Sequence, residues 1–123
     1  MSDTALKTPP VPLTMEGSSV LHQMMRVKWD AWRALGQVER DAIAAEAAAA
    51  LASMEQGGRN GSAAYSMLGH KGDLMLVHFR PSFVELEEVQ RSLRKLRLFD
   101  YLEATHSYVS IVELGLYEST QKV

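Results

Sequence analysis

The stretch LGHKGDLMLVHFR, residues 68–80, decides the fold of this chain. It places the polar segment His70–Asp73 between two apolar runs, and Gly72 permits the positive backbone φ that a tight reversal commonly needs. Pro81 directly follows the second run and ends it. The stretch therefore predicts a β-hairpin. Its elements are a strand at residues 62–68, a turn at residues 69–72 and a strand at residues 73–80.

Helical patterns flank the hairpin on both sides. An alanine-rich run from about residue 37 to residue 56 precedes it, and two glycines at 57–58 supply a stop. After it, Ser82 and Glu85 stand at the spacing of a capping box and predict a helix that ends near residues 98–101. The positions expected to face the core are Val38, Ile43, Ala47, Leu51 and Met54 in the first helix and Leu86, Val89, Leu93 and Leu96 in the second.

Two further strands complete a βαββαβ order. Residues 18–29 alternate, a short turn capped by Asp30 follows at residues 31–35, and residues 106–117 are rich in β-branched and aromatic side chains. This order is that of a ferredoxin-like α+β fold, with two helices on one face of an antiparallel sheet. The other face is too apolar to stand in water, so a second similar domain or a dimer partner is expected to cover it. The first strand should place Leu21, Gln23, Met25 and Val27 on one side and Val20, His22, Met24 and Arg26 on the other.

Composition and charge narrow the classes of function. With 123 residues, 46% hydrophobic and 23% charged, the chain has the length and make-up of one globular domain. A net charge of −2 supplies no positive field for nucleic acid, and the lack of cysteine excludes disulfides, thiolate catalysis and cysteine metal sites. The sequence shows no export signal and no apolar run of the ~20 residues needed to cross a bilayer, which predicts a cytoplasmic protein with no membrane partner.

Four histidines are the first candidates for chemistry, because imidazole ordinarily titrates near neutrality. His78 lies within an apolar strand and is interpreted either as an axial haem ligand or as a histidine of the core. The core is favoured, because no spacing around it indicates a ligand set. His70 is interpreted as a solvated turn residue. His22 and His106 occupy strands and line a sheet face that the sequence does not specify.

Two tyrosines of the last strand and a basic cluster on the second helix also carry polar chemistry. Tyr108 and Tyr117 are nine residues apart, and this odd separation places them on opposite faces of a regular strand. Residues 118–120 are polar and hydrogen-bond either an anionic ligand or solvent. Acidic residues precede the basic cluster by one or two turns, which predicts a solvated, salt-bridged helix face rather than a site for an acidic partner. The basic residues are Arg91, Arg94, Lys95 and Arg97.

Several motifs together resemble one family of haem enzymes. The motifs are WDAW (29–32), YSMLGHKGDLM (65–75), HFR (78–80), DYL (100–102) and SYVSIVEL (107–114). From about residue 18 to residue 119, the chain resembles the N-terminal half of the chlorite dismutase superfamily, and most closely its coproheme decarboxylase branch.

The resemblance implies an architecture and an activity. The architecture is a subunit of two consecutive ferredoxin-like domains whose sheets pack into an α+β barrel, with five subunits in a ring. The partners implied are therefore a C-terminal ferredoxin-like domain and further copies of the same subunit, a homopentamer. The activity is the oxidation of iron coproporphyrin III by hydrogen peroxide, in which two propionate carboxyls leave as carbon dioxide and haem b forms.

The resemblance also implies which functional residues this chain holds. The proximal histidine, the radical-forming tyrosine with its lysine and the propionate-binding arginine belong to the C-terminal domain, so no catalytic residue and no metal ligand are expected here. Tyr117 matches the position that contacts a porphyrin propionate, and Ser119 lies beside it. The 123-residue chain alone is expected to be inactive and to bind no iron coproporphyrin III or haem tightly.

The implied organisation has three parts, and two alternatives stand beside it. Residues 1–17, with three prolines, form an extended arm; residues 18–117 form the ferredoxin-like domain; residues 118–123 begin a linker or flexible loop, where the chain looks cut. One alternative is a stand-alone, non-enzymatic ferredoxin-like module that dimerises or binds a partner through its sheet. The other is a chlorite dismutase-type haem enzyme, which the resemblance distinguishes by a distal arginine in the second half.

Overall fold

The predicted hairpin forms one side of a four-stranded antiparallel sheet. The computed structural model describes residues 17–58, 60–69 and 71–113. The strands are β1 (Ser19–Val27), β2 (Gly61–Ser66), β3 (Leu74–Arg80) and β4 (Leu102–Ile111). Their order across the sheet is β2-β3-β1-β4, in which each neighbouring pair is antiparallel. The ferredoxin-like α+β fold is thereby confirmed.

Three α-helices and one 3₁₀ helix join the strands. They are α1 (Trp29–Arg33), α2 (Gln37–Ser53), α3 (Phe83–Arg94) and the 3₁₀ helix η1 (Arg97–Tyr101). Two boundaries differ from the sequence prediction because of local backbone geometry. Asp30 does not cap α1, which begins at Trp29 after Lys28. Helix α3 ends at Arg94, because Leu96 adopts extended backbone angles before η1 begins.

The register of β1 confirms the predicted alternation. Leu21 pairs with His78 and Gln23 with Leu76, and these side chains share the face on which α2 and α3 lie. The intervening residues share the opposite face, on which no helix of the described part of the chain packs. We call this the helix-free face. Its members are Val20, His22, Met24 and Arg26 of β1, Met75, Val77 and Phe79 of β3, Ala63 and Tyr65 of β2, and His106, Tyr108 and Ser110 of β4.

The apolar core lies between the sheet and the helices. Its fully buried cluster consists of Met25, Leu76, Val89, Leu93 and Leu102, with Leu51 and Met54 packed against it. Each such side chain stabilises the fold by about 1.5–3 kcal/mol relative to exposure. The predicted inward position of Val38 is wrong, since it is 85% exposed. Five residues separate Val38 from the buried Ile43, a rotation of about 140° around the helix, so the two cannot share a face.

Ser82 caps the start of α3, as the sequence predicts. The hydroxyl of Ser82 accepts the backbone N–H of Glu85 at 3.4 Å and donates to Glu85 Oε1 at 2.8 Å. The Ser82 hydroxyl thus satisfies one of the free N–H groups at the helix start. Glu85 here binds the Ser82 hydroxyl, whereas a capping box proper would have it reach the Ser82 backbone N–H.

The turn between β2 and β3 uses its glycines differently from the prediction. Gly69 has the positive φ, 101°, and Gly72 has a negative one. Gly72 is required for a different reason, since a Cβ placed on it would lie 2.7 Å from the Met25 carbonyl oxygen. The neighbouring Asp73 donates its N–H to that oxygen at 2.7 Å and accepts the Val27 N–H on its carboxylate at 2.9 Å. The turn therefore crosses closely over β1.

Strand β4 begins four residues earlier than predicted because it contains a β-bulge. Met24 pairs with His106, but Met25 pairs with Ala104, which leaves Thr105 as the extra residue. The Thr105 hydroxyl donates to the Met24 carbonyl at 3.1 Å and also contacts the Lys71 carbonyl. The bulge interrupts the alternation that marks a strand in the sequence. The predicted end of this strand, residues 114–117, lies outside the described residues.

Candidate functional site

The two residues predicted to contact a porphyrin are not placed by the structure. Tyr117 and Ser119 lie outside the described residues, and so does His70. Of the predicted arm at residues 1–17, only Gly17 is described. These assignments and the domain limits stay predictions.

The helix-free face holds a cluster of three rings. Because His22 and Tyr108 are register partners on β1 and β4, their rings stack, with centroids 4.3 Å apart and planes 15° apart. His106 meets the same tyrosine edge-on, at 6.2 Å. Stacked and edge-on contacts are favoured between aromatic rings, because the face of a ring is negative and its edge is positive. The structure thus places both of these histidines, which the sequence left unassigned, on the helix-free face.

The helix-free face resembles one side of an interface whose partner layer is missing. Val20 and Val77 in its centre are buried, while Tyr65 and Tyr108 nearer its edges are about half exposed. The Nδ1 atom of His22 is buried and has no hydrogen-bond partner among the described residues. A buried polar atom left unpaired costs about 1–3 kcal/mol. A partner layer that covers this face would bury the exposed parts of Tyr65 and Tyr108.

His78 belongs to the core, on the helix side of the sheet. Its side chain is fully buried, and Nδ1 lies 2.8 Å from the Ser62 hydroxyl. Burial, with a smaller contribution from Arg80, lowers the pKa of His78 to about 4, so the ring is neutral. Its Nε2 atom has no partner among the described residues. The core interpretation is confirmed, and a ring so enclosed offers no surface to an iron porphyrin.

Arg80 is a buried structural residue that the sequence interpretation missed. Its guanidinium donates to the carbonyls of Gly61 and Phe79 at 2.7 Å and of Met54 at 2.8 Å, and to the Ser62 hydroxyl at 3.0 Å. Burial lowers the pKa of Arg80, and Glu85 opposes that shift. The available signal was its position, since Leu74, Leu76, His78 and Arg80 all point to the helix side of β3.

The basic cluster of α3 and η1 is solvated, and one member forms a salt bridge with a different helix. Arg97 pairs with Glu46 of α2 at 3.3 Å, and its backbone N–H donates to the same carboxylate at 3.1 Å. The backbone hydrogen bond is the main cause that lowers the pKa of Glu46. Arg91, Arg94 and Lys95 are exposed. The predicted solvation of the basic cluster is therefore confirmed, and the ion pair of Arg97 is with α2 rather than with the acidic residues earlier in α3.

The described residues contain no group of three or more His, Asp or Glu residues that could hold a metal ion. His78 is enclosed, His22 is stacked on Tyr108, and His106 lies exposed on the edge strand. No helix in this part of the chain is long and apolar enough to cross a membrane.

Comparison with known proteins identifies the family. The family model described as chlorite dismutase matches residues 40–123, which are 84 of the 123 residues. The chain belongs to the chlorite dismutase family. The ferredoxin-like fold and the family resemblance of the sequence motifs are thereby both confirmed.

Relatives in the chlorite dismutase family include proteins of salt-loving archaea. A putative heme-binding protein of Halobacterium salinarum is 41% identical over 109 residues, which are 86% of this chain and 22% of that protein. A putative heme-binding protein of Haloarcula marismortui is 33% identical over the same share of this chain and 16% of its own length. The chain thus spans about a fifth of the length of these archaeal relatives.

Solved structures of the chlorite dismutase family show the same fold. A heme-binding protein of Thermus thermophilus matches with a TM-score of 0.69 and 24% identity, over 78% of this chain and 40% of that one. A mutant chlorite dismutase of Candidatus Nitrospira defluvii matches with a TM-score of 0.77 and 17% identity, over 90% of this chain and 46% of that one. The chain therefore covers somewhat less than half of each.

Proposed function

We propose that this chain is the N-terminal ferredoxin-like half of a coproheme decarboxylase-type enzyme. That enzyme carries out the hydrogen peroxide-dependent oxidative decarboxylation of iron coproporphyrin III to haem b, as a cytoplasmic homopentamer. The chain contributes the scaffold of the barrel, the interface between domains and the rim of the porphyrin pocket. The axial ligand and the catalytic residues come from the C-terminal half.

The observation that carries the proposal is the helix-free face. An antiparallel sheet in water normally presents polar side chains on its open face. This face instead presents Tyr65 and Tyr108, each about half exposed, beside Phe79. A second ferredoxin-like domain of similar size would cover it, which agrees with the coverage of somewhat less than half of the solved relatives.

Tyr117 and Ser119 have a role at the rim of the pocket in this proposal. Residues 18–117 form the domain, the arm of residues 1–17 precedes it, and residues 118–123 begin the connection to the second half. The phenol of Tyr117 donates a hydrogen bond to a porphyrin propionate. In the polypeptide that carries both halves, Tyr117→Phe should weaken binding of iron coproporphyrin III by about 0.5–1.5 kcal/mol, the value of one hydrogen bond. Unchanged affinity would remove Tyr117 from the site.

A porphyrin titration of the 123-residue chain tests whether the axial ligand comes from the C-terminal half. We expect iron coproporphyrin III to cause no stoichiometric Soret shift, because in this proposal the axial ligand belongs to the C-terminal half. A tight one-to-one complex with the spectrum of a histidine-ligated iron would refute the assignment of that ligand to the other half.

Variants on the two faces of β4 test the interface. Tyr108→Glu places a charge on the helix-free face, and Val109→Glu places one at the adjacent position on the other face, where the native side chains are 45% and 52% exposed. We expect only Tyr108→Glu to prevent association with the separately produced second half, as measured by sedimentation velocity. Equal association of both variants would contradict the use of this face.

A stand-alone dimerisation module is the second candidate, and the same face favours it. In that case the chain alone would form a two-fold dimer through the helix-free face. Sedimentation of the 123-residue chain separates the two candidates, since our proposal expects a monomer that associates with the second half. A stable homodimer that Tyr108→Glu dissociates would support the module instead.

Chlorite decomposition is the third candidate, since the structural matches include chlorite dismutases. Oxygen release from chlorite by the two-half polypeptide would support it. Conversion of iron coproporphyrin III to haem b with hydrogen peroxide, without oxygen release from chlorite, would support the proposed decarboxylase.

A further inference from the structure

Strand β2 lies at the edge of the sheet with little support from the apolar core. Its side chains on the helix side are Ser62, Ala64 and Ser66, since these pair with the helix-side residues of β3. No residue of β2 belongs to the buried core cluster, and each of its six residues is partly or largely exposed. Apolar burial, the dominant stabilising term in folding, therefore contributes little to the attachment of β2.

A polar network attaches β2 to β3 and to the end of α2. The Arg80 guanidinium donates to the Gly61 carbonyl of β2 at 2.7 Å and to the Met54 carbonyl after α2 at 2.8 Å. It also donates to the Ser62 hydroxyl at 3.0 Å, and that hydroxyl lies 2.8 Å from Nδ1 of His78. Since the hydroxyl accepts from Arg80, its own proton can be donated to Nδ1 of a neutral ring. We call the side chains of Ser62, His78 and Arg80 the β2 anchor.

Protonation of His78 would disrupt the β2 anchor. It would turn Nδ1 into a donor, so that the Ser62 proton would have to point elsewhere, and it would place a second cation beside Arg80. Strand β1 places the apolar Leu21 opposite the ring, and neither β1 nor β2 contains an acidic residue. Helix α2 reaches the anchor through a backbone carbonyl, and Glu85 of α3 acts on Arg80. Burial and the Arg80 charge accordingly lower the pKa of His78 to about 4.

Turns that contain glycine flank β2 on both sides. Gly57 and Gly58 precede it with φ of 82° and 60°, and Gly69 follows it with φ of 101°. The chain is fixed again at Asp73, which bonds to β1 through its N–H and its carboxylate. Because glycine changes its backbone angles at low steric cost, β2 can move away from β3 between these two turns.

We propose that β2 is a detachable edge strand and that protonation of His78 releases it while β1, β3 and β4 stay folded. When β2 moves away, the ring loses its contact with Ser62 and gains access to water, which stabilises its positive charge. Protons therefore favour the open form of the chain. The inference concerns the described residues alone and does not depend on the porphyrin proposal.

Native-state hydrogen exchange of the 123-residue chain, followed by NMR, tests the release. The opening constant of each amide is obtained after correction for its intrinsic exchange rate at each pH. We expect the amides of β2 near Ser62 to open at least tenfold more often than those in the centre of β1, as expected for a locally opening unit. Between pH 7 and pH 5 the opening constant of β2 should rise roughly 20-fold, because the pKa of His78 is near 6.5 in the open form and about 4 in the closed form.

Matched variants test the role of the β2 anchor. Ser62→Ala removes the hydroxyl and should raise the opening constant of β2 at pH 7 by about two- to tenfold, the range of one hydrogen bond. Ser66→Ala, on the same face of β2 but at its exposed end, should leave the constant unchanged. His78→Gln should remove the rise between pH 7 and pH 5, and His106→Gln, at an exposed position of β4, should retain it. Circular dichroism checks that each variant folds, and the serine pair decides the question if His78→Gln does not.

Three results would overturn the proposal. The first is one common opening constant for β2 and β1, which would mean that β2 opens only when the whole domain unfolds. The second is an opening constant of β2 that does not change between pH 7 and pH 5. The third is an equal opening constant in Ser62→Ala and Ser66→Ala.

Discussion

The close approach of Gly72 to β1 predicts that Gly72→Ala strongly destabilises the fold. The new Cβ would lie 2.7 Å from the Met25 carbonyl oxygen and 3.1 Å from its carbonyl carbon, and both atoms belong to the backbone of a central strand. The turn must therefore move outward, and Asp73 moves with it. Two hydrogen bonds are then lost, from the Asp73 N–H to Met25 and from the Val27 N–H to the Asp73 carboxylate.

The expected magnitude follows from those two bonds. The bond to the charged carboxylate contributes about 1.5–3 kcal/mol and the neutral one about 0.5–1.5 kcal/mol. Alanine offsets about 0.4–1 kcal/mol of the loss by restricting the unfolded chain. The free energy of unfolding should thus fall by roughly 2–3 kcal/mol, which lowers the melting temperature by roughly 10 °C in a domain of this size.

Urea denaturation followed by circular dichroism measures the effect, with Gly61→Ala as the control. A Cβ at Gly61 meets no atom within 4 Å, so this variant should be as stable as the native chain or slightly more stable. Asp73→Asn provides a second comparison, since its effect should add less than fully to that of Gly72→Ala if both act through the same contact. A denaturation midpoint for Gly72→Ala equal to that of Gly61→Ala would refute the steric reasoning.

Three further predictions concern the buried polar residues and the cap of α3. The pKa of His78 is near its ordinary value of 6.5 in the unfolded chain but about 4 in the folded chain. The free energy of unfolding should therefore keep its full value above pH 6.5 and fall by up to about 3 kcal/mol as the pH drops to 4. In urea titrations His78→Gln should remove that part of the pH dependence, and an unchanged pH dependence would contradict this reasoning. Arg80→Met leaves the carbonyls of Gly61 and Met54 without a donor and should lower the free energy of unfolding by about 2–4 kcal/mol in the same assay. Arg91→Met, which replaces an exposed arginine, is the control, and a smaller effect of Arg80→Met than of this control would show that the bonds contribute little. Ser82→Ala should lower the free energy of unfolding by about 1 kcal/mol because the helix cap is lost, and Ser82→Asp should retain most of the native stability. Equal stability of the native chain and both variants would exclude a capping role.

The parts of the fold that the sequence predicted depend on local rules. The hairpin, the helix cap at Ser82 and the buried stripe of Leu86, Val89 and Leu93 all follow from local sequence patterns. The alternation of β1 also follows from spacing, because side chains of a strand alternate strictly. These features need no knowledge of what lies beside them in space.

The parts that the sequence did not predict depend on contacts between distant segments. Gly72 and Gly69 look alike in the sequence, and only the passage of β1 beneath the turn assigns one to close approach and the other to positive φ. The start of β4 was misplaced because Thr105 bulges toward the same turn. The burial of Arg80 depends on acceptors from β2 and from the end of α2, which are distant from it in the sequence.

The candidate site was predictable only through resemblance. Spacing gave no ligand set around any histidine, and the ring cluster of His22, His106 and Tyr108 requires the register of β1 with β4. The family assignment, in contrast, rested on motifs spread over much of the chain, and the family match confirmed it. Tyr117 and Ser119 lie outside the described residues, so their role still depends on that resemblance.

The central strand β1 separates the proposed interface from the apolar core. His22 and Gln23 are adjacent, yet their side chains point to opposite faces, and each carries a buried polar atom with no partner among the described residues. Because side chains of a strand alternate, a domain that covers the helix-free face would lie against the His22 side of β1 and leave the Gln23 side untouched. Tyr108→Glu, on the same face as His22, should therefore prevent that association without direct disturbance of the core on the helix side of the sheet.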